Sequence, residues 1–438
     1  MRTLLLILLL PLSGIICQNK ILHTADPMPH PVAGAVSLNW GNQIYIIGGY
    51  SSDTQDYVKW IQSYDVSLNQ WGEYKNMQYP RYGLNAAIKY DTVYCYGGIH
   101  DTSYSNSSVE KWDISFLSAS AVFDHNAYFN RIFSSGAIVG NNYYIIGGNP
   151  YLESDSSDLP YIVEYNTLTK NVTYVLNDST FGEELPEQQM ISVVDNDIYI
   201  FGGVQNGLPS KKIYKFNTIT HQLDELIIEL NEPRAGGIAV KGSAENEIFL
   251  IGGFHEQSAA LNSVELFKIE NQGFSVNEAE GIITPRKHFV GENIDGIIYI
   301  FGGVDEKGDW VEDVELFSTI VTAGEKLDNT PMTFELNQNY PNPFNPTTKI
   351  EFQVPSNLAF RQGGVKSEMS NVKLTVYDIL GSVIATLVDE QKQPGSYTEN
   401  FNGNGLANGV YFYKLTVSGS AAHRKNIFSE TKKMVLLK

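Results

Sequence analysis

The 438-residue sequence contains few cysteines and comparatively few basic residues. Two cysteines cannot build a network of disulfides, so packing must stabilise any extracellular form of the chain. Its 30 lysines and arginines are outnumbered by 49 aspartates and glutamates, which gives a formal net charge of -19. A nucleic-acid-binding protein needs clustered cations to displace counterions from phosphates, so this charge excludes nucleic acid as the main partner.

The sequence also lacks an apolar run of the about 20 residues that a transmembrane helix needs. A shorter run, Leu4–Leu12, follows a single charge at Arg2 and precedes small and polar residues. This pattern predicts a secretory signal peptide over residues 1–17, cleaved after Cys17. Lipidation of Cys17 is the alternative, although Ile16 replaces the small residue that a lipoprotein signal requires. Cleavage would leave Cys95 as the only thiol.

Glycine, in contrast, is abundant, and twelve of the 38 glycines follow one repeated pattern. Six short β-rich apolar runs end in glycine pairs, which begin at Gly48, Gly97, Gly147, Gly202, Gly252 and Gly302. Each period of about 50 residues has the length of a propeller blade and contains four strand-like segments. In the first period these segments are Val32–Leu38, Gln43–Ile47, Ile61–Val66 and Gln70–Tyr74.

Two further features recur with the glycine pairs. An aromatic residue ends each third strand, where we expect it to fill the wedge between adjacent blades; these residues are Tyr64, Trp112, Tyr165, Phe216, Phe267 and Phe317. Arginines precede the first strand of several blades, at Arg81, Arg131, Arg234 and Arg286. The equivalent places elsewhere hold His30 and the Glu187–Gln188 region.

This combination resembles the kelch repeat, and six copies imply an all-β, six-bladed kelch propeller over residues 18–320. After Phe317 the sixth blade has no obvious fourth strand, whereas Ile21–Ala25 looks like a fourth strand with no strands before it. We therefore expect residues around Lys20–Ala25 to join the outer edge of the blade that contains Gly302. Closure of this kind removes an open sheet edge.

Residues 333–438 have a different character, with alternating strands separated by Asn and Gly turns. This pattern predicts a small immunoglobulin-like β-sandwich after a linker at residues 321–332. The segment opens with the motif Tyr340, Pro341, Asn342, Pro343, Phe344, Asn345 and Pro346. It resembles the type A C-terminal sorting domain of the type IX secretion system. An ordinary carbohydrate-binding or adhesive sandwich is the alternative.

The resemblance of the tail implies a route out of the cell. The N-terminal signal would direct export across the inner membrane, and the sorting domain would direct passage across the outer membrane. The type IX secretion machinery is then a partner, and the mature protein is secreted or attached to the surface of a Gram-negative bacterium. Whether the domain is cleaved does not follow from the sequence.

The predicted ligand site lies at the mouth of the propeller channel, where loops before first strands and after glycine pairs meet. The first group supplies His30, Arg81, Arg131, Arg234, Arg286 and His288, and the second includes Tyr50, Phe254 and His255. Converging arginines in an acidic protein would attract a carboxylate or an acidic sugar. The alternative is that these arginines pair with backbone groups or acids of neighbouring blades.

Kelch propellers include copper radical oxidases and sialic acid mutarotases. Cys95 lies inside a second strand, so we expect a core residue and not part of a copper cofactor. A mutarotase needs an acid/base group beside anion-binding arginines, and Glu183, Glu184 and Glu187 are candidates that no motif distinguishes.

Signals for metal are equally sparse. His100 and His255 lack a third ligand for zinc, and Asp155–Asp158 lacks the regular spacing of a calcium loop. We therefore expect no cofactor and no metal. The sequence favours a protein- or glycan-binding module, with a carbohydrate-active enzyme such as a sialic acid mutarotase as the alternative.

Overall fold

The computed structural model describes residues 21–72, 75–101, 104–105, 108–114, 121–125, 131–150, 162–176, 185–255, 260–319, 335–354, 370–393, 395–418 and 426–437. These ranges contain strands, turns and bends, and no helix occurs in them. Accordingly, none of the described segments forms an apolar helix of membrane-spanning length. The predicted signal peptide at 1–17 and the predicted linker at 321–332 lie outside the described residues.

The strands of the first two blades, and of the segment before them, are β1 Ile21–Ala25, β2 Val32–Ala33, β3 Val36–Trp40, β4 Gln43–Ile47, β5 Tyr50–Ser51, β6 Asp56–Tyr57, β7 Trp60–Asp65, β8 Gln70–Trp71, β9 Lys75–Asn76, β10 Tyr82–Lys89, β11 Thr92–Asp101, β12 Tyr104–Ser105, β13 Ser108–Asp113 and β14 Ala121–His125. The third and fourth blades have β15 Arg131–Ile132, β16 Ser135–Val139, β17 Asn142–Ile146, β18 Asn149–Pro150, β19 Ile162–Asn166, β20 Val172–Leu176, β21 Met190–Val194, β22 Asp197–Phe201, β23 Val204–Gln205, β24 Leu208–Pro209, β25 Ile213–Asn217 and β26 Gln222–Glu225.

The fifth and sixth blades have β27 Ile238–Lys241, β28 Glu247–Ile251, β29 Val264–Glu270, β30 Gly273–Ala279, β31 Val290–Ile294, β32 Ile297–Phe301 and β33 Val314–Ser318. The tail has β34 Glu335–Leu336, β35 Thr347–Val354, β36 Ser370–Tyr377, β37 Val383–Lys392, β38 Gly395–Asn402, β39 Gly409–Ser418 and β40 Asn426–Leu436.

Six antiparallel sheets form the blades of a β-propeller, as the glycine repeat predicts. Their strand orders, from the inside outwards, are β3–β4–β7–β8, β10–β11–β13–β14, β16–β17–β19–β20, β21–β22–β25–β26, β27–β28–β29–β30 and β31–β32–β33–β1. Each innermost strand contacts the innermost strands of both neighbouring blades, so the six surround a central channel.

The N-terminal strand closes the ring of blades. β1 pairs antiparallel with β33, with Ile21 opposite Phe317 and Ala25 opposite Val314. The sixth blade therefore takes its fourth strand from the beginning of the described chain, where the sequence analysis places it. A hydrophobic core that includes Ile44 of the first blade and Phe301 of the sixth seals the same seam.

The blades are held together by apolar cores between them. All six aromatic residues that end third strands are buried, with at most 5% of their surface exposed. Cys95 belongs to the core between the first two blades, with its Sγ 4.0 Å from Met77 Sδ. Burial raises the pKa of its thiol to about 12, which fits the predicted core role.

Backbone hydrogen bonds from the glycine pairs join blades to the blades that follow them. The amide of Gly49 donates to the carbonyl of Arg81 over 2.7 Å, and Gly203 and Gly253 make the equivalent bonds to Arg234 and Arg286. Gly48 has a φ of +67°, and a Cβ added there would lie 2.7 Å from the Arg81 carbonyl oxygen. The repeat needs glycine at this position because the next blade's backbone occupies the space.

The first strand of the first blade differs from its prediction. Val32–Leu38 is not one strand, because Gly34, with a φ of +63°, turns the chain between β2 and β3. Val32 and Ala33 instead pair with Ser51 and Tyr50 in a small sheet at the blade end where the glycine pairs lie. This turn places the residues before β3 at the channel mouth.

The tail forms two antiparallel sheets, with strand orders β34–β35–β38 and β37–β36–β39–β40. Leu336 and Phe352 of the first sheet share a core with Leu374 and Tyr413 of the second. The two-layer arrangement agrees with a sandwich, while its immunoglobulin-like character stays a prediction.

The predicted sorting motif is anchored on the last strand of the tail. Phe344 is buried, its amide donates to the Val435 carbonyl over 2.9 Å, and its carbonyl accepts from the Leu437 amide over 3.0 Å. The Asn342 side-chain oxygen accepts from the Val435 amide over 2.9 Å. Tyr340, in contrast, is 81% exposed, so the motif combines a core anchor with a solvent-exposed ring.

Candidate ligand-binding face

A closed ring of backbone hydrogen bonds surrounds the channel at the end where the glycine pairs lie. Each amide in the ring donates to the carbonyl of the equivalent residue in the adjacent blade over 2.8 to 2.9 Å. The ring consists of Gly34, Gly83, Phe133, Gln188, Gly236 and His288. All six have φ between +54° and +63°, a left-handed conformation that non-glycine residues seldom adopt.

The three larger members of the ring place their side chains across the channel mouth. His288 Nε2 lies 2.9 Å from Gln188 Oε1, and the imidazole stacks on the Phe133 ring at 5.5 Å. Burial, reinforced by the charge of Lys287, lowers the pKa of His288 to about 4, so its imidazole is neutral near pH 7. The position of Gly236 requires glycine, because a Cβ added there would lie 2.8 Å from the His288 ring.

Five further aromatic side chains extend outwards from Phe133 and His288, and the seven together form what we call the aromatic face. They are Trp310, Tyr50, Tyr57, Tyr82, Phe133, His288 and Phe254, and all seven are half-buried. Trp310 stacks on Tyr50 with 5.9 Å between ring centroids, and Tyr57 stacks on Tyr82 at 5.7 Å.

Edge-to-face contacts extend the aromatic face across the mouth. Tyr82 contacts Phe133 at 5.2 Å, and Phe254 contacts His288 at 5.7 Å. The face thus joins rings from the first, second, third, fifth and sixth blades. Such partly exposed rings combine a large apolar area with polar edges, which suits recognition.

Charged residues border the aromatic face. Asp53 lies in the turn between β5 and β6, Asp56 begins β6, and Asp305, Glu306 and Asp309 lie in the loop before Trp310. His30, a predicted site residue, is 2.6 Å from Asp53 and packs against Trp60 at 5.1 Å. On the other side of the mouth, Lys287 Nζ lies 5.7 Å from the centroid of the Phe254 ring.

The four predicted arginines lie inside the blades. Arg81, Arg234 and Arg286 are fully buried, and Arg131 is 3% exposed. One guanidinium nitrogen of each donates to the carbonyl of the first glycine in the pair of its own blade; the acceptors are Gly97, Gly147, Gly252 and Gly302. Each arginine therefore braces the end of the second strand.

Three of these arginines also pair with buried glutamates on the third strand. Arg81 binds Glu110 over 3.2 Å, Arg234 binds Glu265 over 2.7 Å, and Arg286 binds Glu315. The carboxylates accept backbone amides as well; the three glutamates occupy the position two residues before the third-strand aromatic. This repeated glutamate position is visible in the sequence, but the sequence-based prediction did not include it among the partners of the arginines.

This geometry supports a structural role for the arginines, but their partners belong to their own blades and not, as the alternative expected, to neighbouring blades. Their guanidinium groups bind carbonyls and carboxylates within the blades and are closed to solvent. Their role in ligand binding stays a prediction. His288, the sixth predicted residue, is the one that lies in the ring at the channel mouth.

Behind the mouth, the innermost strands enclose a cavity of about 380 Å³. Glu292 lines it and accepts a 2.8 Å hydrogen bond from Ser37 across the seam between the sixth and first blades. Burial raises the pKa of this carboxyl to about 7. A group that exchanges protons near neutral pH suits acid/base chemistry, and the sequence analysis did not single it out.

The other predicted catalytic or metal candidates are less well placed. Burial raises the pKa of Glu187, which is half-buried. His255 is half-buried beside the aromatic face. Among the described side chains, no cluster of three histidines, cysteines or acids could hold a metal ion. Glu183, Glu184, Asp155–Asp158 and the His100 side chain lie outside the described part.

Comparison with protein families agrees with the two-part architecture. A profile described as the KLHDC2/KLHL20/DRC7 Kelch-repeats domain matches residues 188–343, and the Kelch motif matches residues 31–78. The profile of the secretion system C-terminal sorting domain matches residues 338–429.

Individual relatives share the repeats at low identity. Kelch repeat and BTB domain-containing protein 1 of Vaccinia virus is 25% identical over 262 residues, which are 57% of this chain and 42% of that protein. Kelch-like protein 40 of Mus musculus is 25% identical over 154 residues, covering 34% of this chain and 24% of its own length. The chain thus spans less than half the length of these relatives.

A solved structure has the same fold. The structure of YjhT aligns with a TM-score of 0.53 at 16% identity and covers 67% of this chain and 96% of its own. The sorting domain implies that the chain is secreted or displayed at the cell surface and that it engages the type IX secretion machinery. The chain carries kelch repeat domains, folded as a β-propeller, and a secretion-system C-terminal sorting domain.

Proposed function

We propose that this chain is an exported recognition module of a Gram-negative bacterium whose aromatic face binds an extracellular protein or glycan. The observation that carries the proposal is the continuous set of seven half-buried rings at the channel mouth. Tyr, Trp and Phe are enriched where binding energy concentrates, because they bury a large area at little cost in side-chain entropy.

The scaffold supports recognition because it holds the rings in place. The closed backbone ring fixes the positions of Phe133 and His288. Tyr50 and Tyr57 lie on the β5–β6 hairpin, which pairs with β2. A face that is ordered before the ligand arrives loses little entropy on binding. Export by the sorting domain places this face outside the cell.

Binding screens on glycan and peptide arrays test the proposal. The full-length chain should retain specific ligands, and Tyr50→Ala or Trp310→Ala should weaken that binding about tenfold. Trp40→Ala is the matched control, because Trp40 is also half-buried but lies at the opposite end of the first blade. Equal losses in Trp310→Ala and Trp40→Ala would contradict the proposal.

A carbohydrate-active enzyme such as a sialic acid mutarotase is the second candidate, and Glu292 favours it. Its carboxyl lies in the central cavity, hydrogen-bonded to Ser37, with a pKa near neutrality. Magnetisation-transfer NMR on sialic acid anomers would measure interconversion. An accelerated rate that disappears in Glu292→Gln would support the enzyme, and an unchanged rate would exclude this acid/base role.

A further inference from the structure

We infer that the aromatic face selects an extended peptide segment that carries arginine or lysine side chains. This inference rests on the proposed function and narrows it to one ligand class. It is carried by the ring faces at the mouth together with the charge of the two loops that flank them.

The rings of the aromatic face can bind a cation. The face of an aromatic ring attracts a cation through its quadrupole, and the attraction is strongest when the cation loses part of its water. The aromatic face already accommodates one ammonium group, since Lys287 Nζ lies 5.7 Å from the Phe254 ring centroid. The stacked pair of Tyr50 and Trp310 offers comparable ring surface at the far side of the mouth.

Exposed acidic residues lie beside the stacked rings. Asp56 is exposed in β6, one position before Tyr57, and Asp53 is exposed in the turn that precedes this strand. In the sixth blade, Glu306 and Asp309 are exposed within a tight loop that ends at Trp310. We call residues 50–57 and 304–310 the rim. Lys307 is the single basic residue in these two segments, so acidic residues outnumber basic ones in the rim.

The two acidic segments meet at the stacked rings. Residues 50–57 and 304–310 come from different blades, and the parallel contact between Tyr50 and Trp310 brings them together. Asp56 pairs with Ser51 in the β5–β6 hairpin, and Val304 pairs with Trp310 in the other loop, so both acidic turns project just beyond the stacked rings. A cationic side chain on those rings would have carboxylates on both sides.

Complementarity of this kind also rejects other ligands. An acidic segment would meet like charge at the rim, on a chain whose formal net charge is already -19. A neutral glycan could stack on the rings and donate hydroxyl hydrogen bonds to the carboxylates, but it carries no positive charge to pair with them. The charge pattern therefore favours a basic peptide over both.

Three synthetic peptides of equal length test the inference, with Arg, Gln or Glu at the same positions in a Gly-Ser background. Fluorescence anisotropy with the full-length chain should show the Arg peptide binding at least about tenfold more tightly than the Gln peptide. The Glu peptide should bind most weakly. The advantage of the Arg peptide should shrink as salt is added.

Two matched triple variants separate local from overall charge. Asp56→Asn, Glu306→Gln and Asp309→Asn neutralise acids beside the aromatic face. Asp195→Asn, Glu245→Gln and Glu270→Gln neutralise three exposed acids in or next to turns at the opposite ends of blades. The first variant should lose about tenfold in affinity for the Arg peptide. The second should lose less than about twofold, by screening.

The outcomes distinguish this inference from the proposed function. Equal binding of the Arg and Gln peptides, or equal losses in the two triple variants, would overturn the inference. If an array glycan or neutral peptide binds and requires Trp310, the proposed function stands while the inference falls. If no binding depends on Tyr50 or Trp310, both fall.

Discussion

The amide of Gly34 donates a 2.8 Å hydrogen bond to the carbonyl of His288, linking the first blade to the last at the channel mouth. This bond completes a ring that runs through all six blades. The pairing of β1 with β33 closes the same seam at the outer edge of the blade. The aromatic face therefore rests on a scaffold closed at both its inner and outer circumference.

The ring makes a specific demand on Gly236. Its φ of +62° matches that of Gly41, at +61°. A Cβ added at Gly236 would meet the His288 ring, whereas a Cβ added at Gly41 would have no neighbouring atom within 4 Å. Gly41→Ala should cost about 1 kcal/mol of unfolding free energy from backbone strain alone. Gly236→Ala should cost about 1–3 kcal/mol more, because the imidazole must shift.

Chemical denaturation of the two glycine variants measures this difference. Equal destabilisation would show that the ring tolerates a side chain at Gly236. It would also remove the argument that the mouth is held in one arrangement.

The buried ion pair of Arg286 and Glu315 should behave differently from an exposed pair. Arg286→Met leaves a buried carboxylate without its cation and should cost about 3–5 kcal/mol. Glu225→Gln, which breaks the partly exposed pair with Lys212, should cost no more than about 1 kcal/mol. Thermal or urea unfolding provides the comparison.

The double variant Arg286→Met with Glu315→Met also bears on ligand binding. Removing both charges should restore only part of the stability lost in the single variant, because Glu315 also accepts the backbone amides of Ile283 and Thr284. If the folded double variant still binds the ligands found on the glycan or peptide arrays, Arg286 has a structural role only. A double variant that folds but loses all binding would assign it to the ligand site and contradict the geometric argument.

Glu292 should make stability depend on pH with a defined sign. Its pKa is raised from 4.5 to about 7 in the folded chain, so the folded state holds a proton that the unfolded state has released between these values. Stability is therefore lost as the pH rises through this window. Above this pH range the charged carboxylate lowers the free energy of unfolding, and Glu292→Gln should restore up to about 3 kcal/mol of it.

Urea unfolding of the wild type and Glu292→Gln across this pH range checks the sign. The two stability curves should converge at the acidic end and separate towards neutral pH, with the variant more stable. Parallel curves would show that the carboxyl titrates normally in the folded protein.

The sorting motif should divide into a structural part and an exposed part. Phe344→Ala removes a buried ring from the tail core and should cost the tail about 3–5 kcal/mol. Tyr340→Ala removes an exposed ring and should change stability by less than about 0.5 kcal/mol. Pulse proteolysis in urea, with mass mapping of tail peptides, measures both; similar losses would refute this division.

Much of the fold follows from residues whose roles repeat. The glycine pairs and third-strand aromatics predict the blades, because close approach of the next blade excludes a Cβ and the wedge between blades needs a ring. The missing fourth strand after Phe317 predicts closure by Ile21–Ala25. These are local requirements, so the sequence displays them.

The candidate face follows less directly. Phe133, Gln188 and His288 occupy left-handed positions where glycine stands in the other blades, so no residue type marks the ring. The aromatic face joins residues far apart in the chain, such as Tyr50 and Trp310, whose contact depends on ring closure. The arginines repeat visibly in the sequence, and the structure pairs three of them with buried glutamates inside their own blades.

The central claim is that the aromatic face binds the ligand. Hydrogen exchange of the full-length chain tests it most directly, measured with and without the ligand that binds most tightly on the glycan or peptide arrays. If the aromatic face is the recognition surface, the ligand should protect backbone amides at residues 50–57 and 304–310. Turns at the opposite ends of the blades, and the tail at residues 335–437, should exchange as before. Protection confined to those turns or to the tail would contradict the account.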